Sequence, residues 1–399
     1  MATAIFFGLP AHGHTNPTLP IVAELVRQGE HIIYYSTEEF RPTIEATGAD
    51  FRAYGGTFPF NEIFFDENSF RVIRRLFQLS QRILEHFLSE VKEVQPDYIL
   101  YDSMAAWGHY FAQILHLPAV CSMTTFAITR RLAFRVPVPS IALMGVRSLD
   151  EIIRANALGR QISRAYRVKK LDYLGYLLNT GQMTLVYTSR DFQSYAEAFD
   201  DTFKFVGPSI APRVSAPAFP FEALHAGSLL YISLGTLVYQ QNEFYRCCFR
   251  AFEQSDYQVV MSVGRHTAIE QLGSIPENFI VRHTVPQLEM LQRATLFITH
   301  AGMNSTHEAL YYGVPLLAIP QATDQHYIAR RIEQLGAGIR LSHKRVTASR
   351  LRHCADEIRI HANYAQASAR IGESLRQAGG FRAALKAIQQ FKQMYHLEP

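Results

Sequence analysis

Short apolar runs alternate with helix-period patterns through both halves of this chain, and that alternation leaves few architectures open. In the first half, strands are predicted near residues 4–8, 31–35, 98–102, 119–122 and 184–187. Between the first two, residues 17–29 place Val22, Leu25 and Val26 on one helical stripe that Gly29 ends. A strand, a helix and a second strand joined in this way pair in parallel, because a tight hairpin cannot hold the intervening residues. The second half repeats the scheme near residues 229–234, 259–263, 279–281, 296–299 and 316–319. The class is α/β.

Residues 207–220 interrupt the pattern with prolines and small side chains, which suits a linker. A chain of 399 residues, 48% hydrophobic and 19% charged, has enough apolar surface for a core on either side of it. Two parallel-sheet domains facing each other across a cleft are therefore expected, with ligands at the carboxyl ends of the strands. Two stretches depart from the alternation: residues 54–80, rich in phenylalanine, and residues 126–178, mostly helical. Most of their aromatic side chains are expected to be core, and a minority to line an apolar pocket.

The formal charge of +4 is mild, and Arg71, Arg74, Arg75, Arg164, Arg167, Lys169 and Lys170 are spread along helical patterns, mainly as solvated faces, with help in holding an anionic ligand as the lesser reading. No nucleic-acid partner is expected. Cys121, Cys247, Cys248 and Cys354 have neither CxxC nor zinc spacing, so disulfides and metal ligation are not expected. No run approaches the roughly 20 apolar residues of a membrane span. The first residues lack the basic start and the length of a signal peptide. The expectation is a cytoplasmic protein without stable membrane insertion.

The densest chemistry lies in residues 300–308, His-Ala-Gly-Met-Asn-Ser-Thr-His-Glu. A buried strand runs into Gly302, Asn304 and Ser305, and a helix begins there. Backbone N–H groups and the positive end of the helix dipole then converge on one spot, which makes an anion site. With His300 before the turn and Glu308 inside the helix, a pyrophosphate and a ribose could be held together, as in a nucleotide-sugar site.

A second loop, residues 8–17, follows the first strand. Gly8, Gly13, His14 and Thr15 have Walker A spacing, but His14 stands where that loop needs lysine. No GxGxxG follows any strand, which argues against a dinucleotide oxidoreductase. His14 reads better as a base, since an imidazole of ordinary pKa about 6.5 accepts a proton at neutral pH. Asp102, at the end of another strand, could hold its tautomer. No nucleophile motif accompanies the pair, so the proton would come from an incoming hydroxyl. His12 competes for the role.

Pro10, Gly13, His14, Asn16 and Pro17, together with Val285-Pro286-Gln287, the His300–Glu308 run, Pro320 and Asp324-Gln325, resemble the two signatures of family 1 glycosyltransferases of the GT-B fold. The likeness is greatest to the bacterial macrolide and flavonoid branch and covers nearly the whole chain. It implies an acceptor-binding Rossmann-like domain over residues 1–208 and a linker over 209–226. A nucleotide-sugar-binding Rossmann-like domain would follow over 227–375, with a C-terminal helix, 376–399, returning to the first domain. It implies His14 as catalytic base and Asp102 as its partner. Donor binding would fall to Thr236, Thr284, Val285, Gln287, His300, Gly302, Asn304, Ser305, Glu308, Asp324 and Gln325: His300, Asn304, Ser305 and Thr236 at the pyrophosphate, Glu308 at the ribose, Gln287 beside the nucleoside, and Asp324 with Gln325 at the sugar hydroxyls. Phe64, Phe65 and Phe126 are candidate acceptor contacts.

The implied reaction is inverting transfer of glucose from UDP-glucose to a hydroxyl of a hydrophobic molecule such as a macrolide, a flavonoid or another phenol, by a monomer or weak dimer. UDP-sugar is a co-substrate; no cofactor or metal is expected, and no DxD motif is present. Thr284 stands where family members often place a tryptophan against uracil, so stacking is expected either from another residue, such as His283 or Val285, or to be weaker. Met303 replaces the tryptophan common in plant members. Two other readings remain. An epimerase or hydrolase on the same fold would share the donor site without an apolar acceptor wall, and a non-catalytic binding protein would have no need of His14 with Asp102.

Overall fold

The computed structural model describes residues 2–56, 58, 60, 63, 68–129, 148–213, 218–225, 227–235, 241–321 and 323–397. They fall into two units, Met1–Ser209 with Gly379–Pro399, and Ile210–Ala378.

The first unit is built on seven parallel strands: β1 (Thr3–Phe7), β2 (His31–Ser36), β3 (Asp50–Ala53), β4 (Tyr98–Asp102), β5 (Ala119–Met123), β6 (Met183–Val186) and β7 (Phe203–Phe205). Their order is β3-β2-β1-β4-β5-β6-β7. Strand alternation explains why both sheet faces are covered. Ile5, Phe7, Ile33, Tyr35, Ile99 and Tyr101 join one core with residues of the Ser69–Val94 and Ala106–Leu115 helices. Phe6, Ile32, Tyr34, Tyr98 and Leu100 join another with the Leu19–Arg27 and Gly380–Met394 helices. The last helix is also tied polar group to polar group: Lys392 Nζ lies 2.8 Å from Glu30 Oε1, and the Tyr98 hydroxyl donates to Glu30 Oε2.

The phenylalanine-rich stretch after residue 54 is less exceptional than its composition suggests. It runs into the Ser69–Val94 crossover helix, whose start is fixed by the Asn68 side chain accepting from the N–H groups of Phe70 and Arg71. Phe60 and Phe77 are core, and Phe58 packs beside them. In the later stretch the Leu149–Tyr166 and Tyr173–Leu177 helices are described.

The second unit has six parallel strands: β8 (Ser228–Ser233), β9 (Tyr257–Ser262), β10 (Phe279–Arg282), β11 (Leu296–Thr299), β12 (Leu316–Ala318) and β13 (Gly338–Arg340), in the order β10-β9-β8-β11-β12-β13. In each sheet the order reverses once, between β1 and β4 and between β8 and β11. In parallel sheets the loops at the carboxyl ends of strands diverge at such a reversal, and ligands bind there as a rule. The short strands β3, β7 and β13 are absent from the sequence expectation. All three are edge strands and none exceeds four residues, too little for an apolar run to stand out.

Candidate functional site

At the first reversal point, His14 lies in a one-turn helix, His12–Thr15, directly after β1, and Asp102 ends β4. Asp102 is almost fully buried and its Oδ1 accepts the Met104 backbone N–H at 2.8 Å. A buried carboxylate needs a further partner, and it has one: Oδ2 lies 2.7 Å from His14 Nδ1. Thr124, just past β5, adds its hydroxyl 3.0 Å from the same nitrogen. Three strands adjacent in the sheet, β1, β4 and β5, thus deliver the three groups. A carboxylate at Nδ1 selects the tautomer protonated there and leaves Nε2 as the basic nitrogen. The ring is 19% exposed, so its outer edge is open to solvent while its anchor is not.

His12 has a different setting. Its Nε2 is 3.2 Å from Glu39, and both side chains are substantially exposed. Among the described residues no buried carboxylate contacts it; the buried carboxylate of Asp102 lies against His14 instead. The loop itself is held from behind. Tyr54 donates to the Gly8 carbonyl at 3.0 Å, and Trp107 donates its indole N–H to the Tyr54 oxygen at 2.9 Å. A Cβ on Gly8 would sit 2.5 Å from the Tyr34 ring, so glycine is required there. Sequence reading missed Thr124, Tyr54 and Trp107, since each acts through a contact more than 40 residues distant.

At the second reversal point, the turns after β8 and β11 meet around His300. A Cβ on Gly235 would lie 2.6 Å from the imidazole and one on Gly302 would lie 2.4 Å from it. Gly235 and Gly302 therefore make the slot in which the ring sits. Between His300 and Gly302, Ala301 is held at φ 64, in the left-handed region that non-glycine residues rarely occupy. The Met303–Tyr311 helix starts at once, with Gly302 as N-cap and no side-chain cap. Burial lowers the His300 pKa to about 4, so the ring is neutral near pH 7. Its Nδ1 is buried without a hydrogen-bond partner among the described residues.

Glu308, one turn further along this helix, is buried and uses both oxygens. Oε2 accepts from Gln287 Nε2 at 2.6 Å, and Oε1 lies 2.5 Å from Arg213 Nη2. Gln287 opens the Gln287–Leu291 helix and reaches towards Tyr231 and Ser305, both at 3.4 Å. The structure thus brings Gln287, Ser305 and Glu308 together and adds Arg213. This is the only charged side chain in residues 207–220, a feature the sequence displays and the linker reading passed over.

Val285 is buried, whereas Thr284 and His283 are exposed and His283 Nδ1 lies 3.2 Å from the Gly264 carbonyl oxygen. Asp324 and Gln325 are in the first turn of the Thr323–Gln334 helix. Asp324 is exposed, and the Gln325 amide oxygen accepts the Gln321 backbone N–H at 2.9 Å. Phe126 is nearly buried, stacked on Phe192 with centroids 5.6 Å apart. Thr236, Phe64 and Phe65 lie outside the described residues.

The family described as Erythromycin biosynthesis protein CIII-like, C-terminal domain, matches residues 248–378. The chain is 35% identical over 396 residues to "Uncharacterized UDP-glucosyltransferase YojK" of Bacillus subtilis (strain 168), covering 97% of each. It belongs to the family 1 glycosyltransferases. A second relative, "NDP-glycosyltransferase YjiC" of Bacillus licheniformis, is 34% identical, with 96% of each chain covered. The crystal structure of the kitacinnamycin glycotransferase superposes with a TM-score of 0.84 at 27% identity, covering 98% of both chains. The two parallel-sheet units of this glycosyltransferase are those of the GT-B fold. No helix among the described residues is long and apolar enough to cross a membrane.

Proposed function

We propose that this glycosyltransferase moves glucose from UDP-glucose to a hydroxyl of a hydrophobic natural product of the macrolide or phenol type. Support for the donor comes from the Gln287–Glu308 pair and the helix start at Met303, and from the name of the Bacillus subtilis relative. Support for the acceptor class comes from the erythromycin-biosynthesis family match.

In this reading His14 Nε2 takes the proton of the acceptor hydroxyl while Asp102 stabilises the resulting imidazolium through Nδ1. The acceptor oxygen forms a bond to the anomeric carbon as the carbon–oxygen bond to UDP breaks. Attack from the face opposite the diphosphate turns an α-linked donor into a β-glycoside. Charge developing on the departing diphosphate meets first-turn N–H groups of the Met303–Tyr311 helix and the neutral imidazole of His300, whose unmet hydrogen bond suits a phosphate oxygen. The reaction then needs no metal. Glu308 receives the ribose diol, and Asp324 with Gln325 the sugar hydroxyls. The enzyme acts in the cytoplasm as a monomer or weak dimer.

The observation that carries this reading is the 2.7 Å contact of His14 with buried Asp102. The test is His14→Ala with UDP-glucose and a series of phenols. Transfer should fall by about 100-fold or more, least for the most acidic phenols, with UDP affinity unchanged. Equal losses for all acceptors together with weaker UDP binding would make His14 structural. Mass-spectrometric screening of acceptors against UDP- and TDP-sugars identifies the substrates.

A further inference from the structure

We propose that Arg213 is a positioning residue of the donor site, acting on the nucleoside ribose through Glu308. The inference rests on the reading of Glu308 as the ribose ligand. Glu308 is 5% exposed, and a charge so buried must be paired. Its two partners divide the carboxylate between them, Arg213 on Oε1 and Gln287 on Oε2. Each oxygen offers two lone pairs, so one remains on each for a further donor. Two acceptors in one fixed plane are what a vicinal diol needs. The plane is set by two anchors of different origin, an amide at the start of the Gln287–Leu291 helix and a guanidinium from the segment preceding β8.

Arginine suits the task better than lysine. Its donors form a rigid planar fork, whereas an ammonium is a point charge on a flexible stem. Without the guanidinium, Glu308 would keep Gln287 alone, free to turn about that single hydrogen bond, with its charge less compensated. Arg213 therefore fixes the preference for a 2′-hydroxyl without touching the ribose.

The experiment is calorimetric titration of UDP and 2′-deoxy-UDP into wild type, Arg213→Met and Arg213→Lys, with melting temperatures and steady-state kinetics for each. Wild type should prefer UDP by about tenfold, the worth of one hydrogen bond to a charged group. Arg213→Met should bind UDP about tenfold more weakly, bind 2′-deoxy-UDP nearly as wild type does, and so lose the preference. Its KM for the donor should rise while kcat at saturating donor stays within about twofold. Arg213→Lys should recover part of the UDP affinity and part of the preference, and it carries the test if the Met protein does not fold. Parallel losses for both nucleotides, with the preference intact, would make Arg213 a diphosphate ligand and overturn the proposal. So would wild-type values in both variants, or a lower melting temperature with unchanged preference. A wild type that does not distinguish the two nucleotides would remove Glu308 as the ribose ligand. Loss of the Arg213 effect alone would leave that reading standing.

Discussion

His14 and Asp102 stand 88 residues apart in the chain and 2.7 Å apart in the fold, joined across the reversal point of the first sheet. The carboxylate is the buried member, so it is the fixed reference against which the imidazole is aimed. Asp102→Asn keeps the shape and the hydrogen bond from Met104 but presents a neutral amide to Nδ1. Both the tautomer preference and the stabilisation of the imidazolium are lost. Turnover with a weakly acidic alcohol should fall about 100-fold or more, with UDP affinity unchanged. Kinetics and calorimetry on the one variant check this, and retained turnover would mean that His14 works without its partner.

The second site depends on room for a ring. Gly235 has φ 79, and a Cβ there would come within 2.6 Å of His300. Gly264 has φ 82 but nothing within 4 Å of its missing Cβ. Alanine at either position bears the left-handed backbone cost of about 1 kcal/mol. Only Gly235→Ala must also push the imidazole out of its slot. UDP binding should therefore weaken about tenfold or more in Gly235→Ala and stay at the wild-type value in Gly264→Ala, at similar losses of melting temperature. Equal UDP binding in the two variants would show that the position of His300 is unimportant to the donor.

The central strands were readable because each carries a run of about three or more apolar residues, and the reversal loops because His14, Gly302 and Glu308 sit in motifs local in sequence. Edge strands such as Phe203–Phe205 and Gly338–Arg340 carry too few residues for any periodicity. They exist because a neighbouring strand supplies the hydrogen bonds, which is tertiary information. The same limit hid Thr124 and Arg213. Each matters through one contact, with His14 or Glu308, over 110 and 95 residues of chain. His14 with Asp102 was legible as a pair because both lie at strand ends, where a parallel sheet gathers its loops. The conformation of Ala301 had no signal in its own identity, since alanine shows no preference for positive φ.

Lys392 and Glu30 form an ion pair in which both side chains are nearly buried, 9% and 7% exposed as whole residues. The Tyr98 hydroxyl completes the carboxylate. This joins the Gly380–Met394 helix to the first sheet. Lys392→Met leaves the Glu30 charge buried with a phenol as its remaining partner in that cluster, and should destabilise the first unit by about 3–5 kcal/mol. Glu30→Gln added to Lys392→Met should recover much of it, because the uncompensated charge is gone. Limited proteolysis near residue 379 and urea unfolding read both effects. A single variant as stable as wild type would mean that the helix is held by its apolar face alone.

His307 lies wholly buried in the Met303–Tyr311 helix, and burial pushes its pKa down to about 3. In the unfolded chain the same imidazole titrates at about 6.5. The unfolded state therefore takes up the proton first, and acid favours unfolding. Stability is full above about pH 6.5 and falls as pH drops through that value, with the loss levelling off below about pH 3. Between pH 7 and pH 5 the linkage amounts to on the order of 2 kcal/mol. His307→Leu has no proton to bind, so its own acid loss should be smaller by that amount. Whatever the variant costs in packing at pH 7, the gap between it and wild type should move in its favour by about 2 kcal/mol at pH 5. Other buried histidines, such as His300, contribute to both proteins alike and cancel from the comparison. Urea titrations of the two proteins at the two pH values measure the shift, and identical acid losses would exclude His307 as the group responsible.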